Sequence, residues 1–159
     1  MKVFFIAAFF MLFLSTCFAQ QIDSVKIVYC YKTIESPATV LPQWFEDGAF
    51  LKHRDSLVIK DYIFSNRLHV DLNNLQRYKK NRGIDTRGKI TLYFSNQTKQ
   101  VWYYDCFCLQ QKDDPICYKW TKKMKLFLNS IANINKKPPI FQKDDMNIKY
   151  ADDANDMGC

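Results

Sequence analysis

Apolar side chains recur at every second position in four stretches of this chain and at every third or fourth position in two. These two periods divide it into strands and helices. Val25, Ile27 and Tyr29 fall on one face with Val28 and Cys30 on the other, which predicts a strand over about 24–32. A second strand is predicted over 56–64. Ile90, Leu92 and Phe94 share one face while Thr91 and Tyr93 share the other. After the turn residues 95–98, Trp102 and Tyr104 alternate with Val101 and Tyr103, so 88–95 and 99–108 read as an antiparallel hairpin.

The helical period appears twice. Leu68, Leu72 and Leu75 predict a helix over 66–82, capped by Ser65 or Asn66 and followed by Gly83, although Leu68, Val70 and Leu72 also alternate as in a strand. Trp120, Met124, Phe127 or Leu128, and Ile131 form an apolar stripe over 118–134, with Lys119, Lys122, Lys123 and Lys125 largely off it. Pro37 and Pro42 mark a loop, after which 43–47 forms a short helical turn and Trp44, Phe45 and Phe50 plug an edge of the core. Pro138 and Pro139 end the ordered body. The fold class is α+β: a small, mainly antiparallel sheet with one face covered by two helices, stabilised by disulfides.

The beginning of the chain has a different character. Lys2 precedes an unbroken apolar run over 3–14, shorter than the ~20 residues that span a bilayer. Cys17-Phe18-Ala19 places small residues where signal peptidase cuts, so residues 1–19 read as a secretory leader. The leader resembles those of secreted bacterial proteins, which makes Asn96-Gln97-Thr98 a turn rather than a glycosylation site. Leu14-Ser15-Thr16-Cys17 approaches a lipobox, and lipid anchoring at Cys17 is the lesser alternative to a secreted or periplasmic product. Residues 20–142 then form one domain and 143–159 a flexible acidic tail. No transmembrane segment is expected after cleavage.

Charge sharpens this division. Residues 20–142 carry 20 basic and 11 acidic groups, whereas 143–159 carry 2 basic and 5 acidic. A basic body with an acidic tail points to an acidic partner or to masking of the body by the tail. Lys79, Lys80, Arg82, Arg87, Lys119, Lys122 and Lys123 are the candidate anion-binding residues, with Tyr93, Trp102 and Tyr104 as a candidate aromatic patch. The partner classes are an unidentified protein or an anionic glycan or lipid surface; export argues against nucleic acid.

Export permits disulfides, and Cys30, Cys106, Cys108 and Cys117 are the candidates for two bridges, leaving Cys159 over. On one strand Cys106 and Cys108 would point the same way about 7 Å apart, at the limit for a bridge between them. The same four thiolates are the metal alternative, but Cys-x-Cys is not the usual zinc spacing, and neither metal nor cofactor is expected. The chain has two histidines, His53 and His69, in no catalytic motif, and it has no G-x-S-x-G or phosphate loop. Glu46-Asp47 and Asp113-Asp114 read as solvated turns, and Asp152-Asp153-Ala154-Asn155-Asp156 lacks the glycine and distal glutamate of a calcium loop. No catalytic residue is assigned. The reading is a small exported, non-catalytic interaction module, with an inhibitor or accessory subunit of an exported enzyme as the alternative and an enzyme third.

Overall fold

The computed structural model describes residues 21–31, 38–78 and 83–147. The leader with Cys17, the basic residues Lys79, Lys80 and Arg82, and the tail beyond 147 with Cys159 lie outside these. The fold is α+β, and its sheet has six antiparallel strands: β1 (Ile22–Cys30), β2 (Arg54–Ile59), β3 (Gly88–Phe94), β4 (Lys99–Tyr104), β5 (Cys108–Gln111) and β6 (Cys117–Lys119). Their spatial order is β2-β1-β3-β4-β5-β6. The helices are α1 (Pro42–Glu46), α2 (Tyr62–Asn73), α3 (Lys122–Ile134) and α4 (Lys143–Asn147), with a 3-10 turn at Leu51–His53.

The period-two pattern sets the core. Val25, Ile27 and Tyr29 of β1 align with Leu57 and Ile59 of β2 and Ile90 and Leu92 of β3. Trp102, Tyr104 and Leu109 extend the same face through β4 and β5. These side chains form one buried cluster with Leu68 and Leu72 of α2 and Met124, Phe127, Leu128, Ile131 and Ala132 of α3. Each such aliphatic side chain contributes about 1.5–3 kcal/mol by leaving water.

Several boundaries differ from those expected. β2 stops at Ile59 rather than near 64 because Asp61 begins a helix, its carboxylate accepting the Phe64 amide at 3.1 Å. Ser65, expected as the cap, is instead buried within α2. α2 ends at Asn73, not near 82. From Gln76 the chain runs beside β6, where Lys119 N–H donates to Gln76 O at 2.8 Å and Tyr78 N–H to Cys117 O at 2.9 Å. β4 ends at Tyr104 because the Asp105 carboxylate accepts the amides of Phe107 and Cys108, at 2.7 and 2.6 Å, and turns the chain into β5. Cys106 and Cys108 therefore do not share a strand.

The last helix starts at Lys122 rather than 118, since Thr121 Oγ1 accepts the Met124 amide at 3.1 Å. The order also continues past Pro138 and Pro139. Ile140 and Phe141 are buried in the main core, and Asn129 holds the Phe141 backbone through two 2.8 Å bonds. α4 occupies the first five residues of the expected tail. Buried Lys125 ties it to the body, donating to Asp145 O at 2.8 Å and to Cys106 O at 2.6 Å.

Candidate binding face of the sheet

The side chains that alternate with the core form the second face. The register sets Val58, Lys26, Thr91 and Val101 in one row across β2, β1, β3 and β4. Ser56, Val28, Lys89, Tyr103 and Gln110 form the next, and Ser24, Tyr93 and Lys99 a third. Lys26, Arg54, Lys89, Lys99 and Lys119 thus point to this side. Apart from Asp23 at the β1 irregularity, the one strand-borne carboxylate is turned away: Asp55 faces the core side, paired with Lys137 at 2.9 Å.

The two ends of this face differ. Over one end lies the 40–54 segment with Val40 and Phe45 buried, and beside it Ile84, Tyr103, Cys108 and Cys117 make a second small core. Arg54 donates to the carbonyls of Phe45 and Ala49 and stacks on the Phe45 ring at 3.7 Å. At the other end Lys26, Val58, Tyr93 and Lys99 are exposed. Lys99 also reaches a polar cleft of about 540 Å³ lined with His69, Gln100, Gln111, Lys112 and the carboxylate Asp113. Neither Lys99 nor Lys112 is ion-paired among the described residues.

Carboxylates border the covered end of this face: Glu46, Asp47, Asp113 and Asp114 line a cleft of about 580 Å³ beside Tyr103 and Gln110, and Glu46 of α1 reaches furthest across. Lys89 Nζ donates to both its oxygens at 2.7 Å, and the Tyr103 hydroxyl donates to Oε1 at 2.9 Å. Burial raises the Glu46 carboxyl, but these hydrogen bonds and the lysine charge outweigh it and hold it below the usual range. The Tyr103 hydroxyl is pushed well up, by burial first and then by Glu46. A carboxyl held low stabilises the fold fully above its unfolded value, about 4.3. That stabilisation is lost as pH falls through the lower folded value. Glu46→Gln is therefore expected to lower the denaturation midpoint at pH 7 and to differ little from the parent at pH 3. A gap of equal size at both pH values would contradict the assignment.

The expected site residues are not gathered into one place. Arg87 is paired with Asp85 and stacks on Phe50 at 4.8 Å. Lys119 lies over the Tyr78 ring at 5.3 Å, while Lys122 and Lys123 are exposed at the start of α3. Of the aromatic patch, Trp102 and Tyr104 are only 3% and 2% exposed and belong to the core, whereas Tyr93 is 40% exposed on the open face. Lys26, Lys99 and Lys112, exposed on or beside the open face, are not among the expected residues. Their signal was present, since Lys26 and Lys99 occupy off-core positions of well-patterned strands.

Cys30 is a free thiol, pushed up to about 11 by burial, so the expected pair of bridges is not complete. Cys108 and Cys117 lie buried on neighbouring strands, opposite Lys119 and Gln110 respectively. For catalysis, His69 Nε2 is 2.9 Å from Asn73 Nδ2, and His53 Nδ1 is buried with no hydrogen-bond partner among the described residues. Asp114 is engaged by the Ile116 amide and the Tyr118 hydroxyl, at 3.0 and 3.1 Å, as a turn residue. Among the described residues no cluster of His, Cys, Asp and Glu could hold a metal ion, and no helix is long and apolar enough to cross a membrane. No family model, curated protein or solved structure matches this chain.

Proposed function

We propose that the chain is an exported, non-catalytic binding module whose open sheet face engages an anionic surface. One observation carries this reading: exposed Lys26 and Lys99 flank exposed Tyr93 on a sheet face whose register positions, apart from Asp23 at the β1 irregularity, hold no carboxylate. Unpaired lysines with an amphipathic ring among them suit sulfate, carboxylate or phosphate groups spread over a polymer or a membrane. The main core, shared with α2 and α3, lies on the opposite side, and the end of this face with Lys26, Tyr93 and Lys99 is exposed. A bridge between Cys108 and Cys117 belongs to the same proposal, because an exported domain of this size gains from a cross-link there.

The test is retention on immobilised dextran sulfate over a salt gradient. Lys26→Glu with Lys99→Glu is expected to weaken binding about 10-fold, the effect of two exposed ion pairs of up to ~1 kcal/mol each. Lys122→Glu with Lys123→Glu is expected to do much less. Unchanged retention of the first pair would overturn the reading.

A second reading, an inhibitor or accessory subunit of an exported enzyme, is favoured by the exposed Leu41, Trp44 and Leu51 in the 41–51 segment. Three large apolar side chains within one compact segment suit a protein partner.

A further inference from the structure

The two edges of the sheet are finished differently. β6 is covered by residues 76–78, with Arg77 bridging to Tyr118. β2 has no such cover among the described residues. The direction of its open groups follows from two bonds. Cys30 N–H donates to Arg87 O beside β3 at 3.0 Å, and Tyr31 N–H donates to His53 O beside β2 at 3.1 Å. Because antiparallel partners alternate, odd-numbered β1 residues bond to β2. Their partners Asp55, Leu57 and Ile59 therefore turn N–H and C=O inward. Ser56 and Val58 turn theirs outward. Asp55 Oδ1 takes the Ser56 amide at 2.6 Å, which leaves Val58 as the open centre of the edge.

Apolar surface surrounds that centre. Val58 is 52% exposed, Tyr62 56% and Ile63 75%, the last two on the first turn of α2 directly after β2. At the other end of the strand the Lys137–Asp55 pair ties down the segment that follows α3, whose last residue, Ile134, is 67% exposed. A β-prone edge that no described residue covers, with exposed apolar flanks, is a template for another strand.

We propose that β2 pairs antiparallel with β2 of a second copy of this chain, centred on Val58. A two-fold axis perpendicular to the sheet keeps like faces together, so the centre must fall on a residue. Centring on Leu57 sets Arg54 against Lys60 and Asp55 against Ile59. Centring on Val58 sets Leu57 against Ile59, Ser56 against Lys60 and Asp61 against Asp55. The last pair meets at Lys137, which already holds Asp55 and supplies the cation between the two carboxylates. Val58 is the centre because its outward N–H and C=O then meet their own symmetry mates, whereas those of Leu57 turn inward to β1. The resulting twelve-stranded sheet presents both open faces on one side, which would make binding to a surface bivalent. The pairing itself stands whether or not that face binds an anion.

Sedimentation of the purified chain from micromolar to ~100 µM concentration, where weak dimers populate, tests it. The parent is expected to sediment as a dimer. Val58→Lys, which puts two like charges on the axis, is expected to weaken the dimer at least ~100-fold. Val58→Cys is expected to cross-link 58 to 58 of the other copy, identified by peptide mass, while Ser56→Cys does not cross-link to itself. This second measurement decides the matter should Val58→Lys fail to fold. A parent that stays monomeric at ~100 µM overturns the proposal. So does a dimer that survives Val58→Lys, or a folded Val58→Cys chain without the 58–58 bridge.

Discussion

Gly88→Ala is expected to destabilise the fold by about 3 kcal/mol, the upper range for forced overpacking. The melting temperature falls by roughly 10 °C. Gly88 opens β3 between Tyr29 and Tyr104 in the register. A Cβ there would fall inside the Tyr104 ring, against Cζ and the hydroxyl oxygen. The ring cannot retreat. Tyr104 is 2% exposed and packed by Trp120 and Phe141, with ring centroids 5.5 and 5.7 Å away. Adding Tyr104→Leu to Gly88→Ala is expected to recover part of the loss, since it removes the colliding atoms. Gly83→Ala, which meets nothing within 4 Å, is the control and is expected to be near neutral. Thermal unfolding of the four chains checks this. Equal effects at Gly83 and Gly88 would contradict the packing.

Trp120→Ala is expected to cost about 3–5 kcal/mol, the range for deleting a buried aromatic side chain. Trp120 lies between β6 and α3, with its indole N–H donating to Asp105 O at 2.9 Å. Its ring meets Phe141 edge-on at 4.9 Å, so one side chain joins the β4–β5 turn, the last helix and the segment after the two prolines. Trp120→Phe keeps much of the packing but leaves a buried carbonyl without its donor, a penalty of about 1–3 kcal/mol. Denaturant unfolding is expected to rank parent, Trp120→Phe and Trp120→Ala in that order. A tryptophan-to-alanine loss below ~1 kcal/mol would be ordinary for a surface site and would contradict the burial.

The sheet was more legible in the sequence than the site. Period-two runs around Val25, Ile27 and Tyr29 and around Ile90, Leu92 and Phe94 located β1 and β3 within two residues, because one face of each is buried without interruption. Caps were less visible. Asp61 and Thr121 start their helices through one side-chain oxygen each, and nothing in the apolar pattern separates them from neighbouring polar residues. The short β5 and β6 were hidden inside a cysteine-bearing stretch. Their pairing depends on the Asp105 turn and on residues 76–78, about 40 positions away in sequence, which local periodicity does not report.

The residues proposed to bind were missed for a related reason. Lys79, Lys80, Lys122 and Lys123 stood out as a dense basic sequence, yet cations gather on a sheet through register rather than adjacency. Lys26 and Lys99 are 73 positions apart in the chain and reach one open face only through β3 between them. Trp102 and Tyr104 looked like a surface patch because both faces of the hairpin carry large side chains. Packing into the main core separates buried Trp102 and Tyr104 from Tyr93, exposed on the other face.

The central claim is that the open sheet face is the part that binds. Amide chemical-shift mapping during titration with a short sulfated oligosaccharide tests it most directly. Shifts concentrated at Lys26, Tyr93, Lys99 and Lys112 are the predicted result, fading as salt is raised. Shifts confined to the start of α3 around Lys122 and Lys123, or none at any residue, would contradict it.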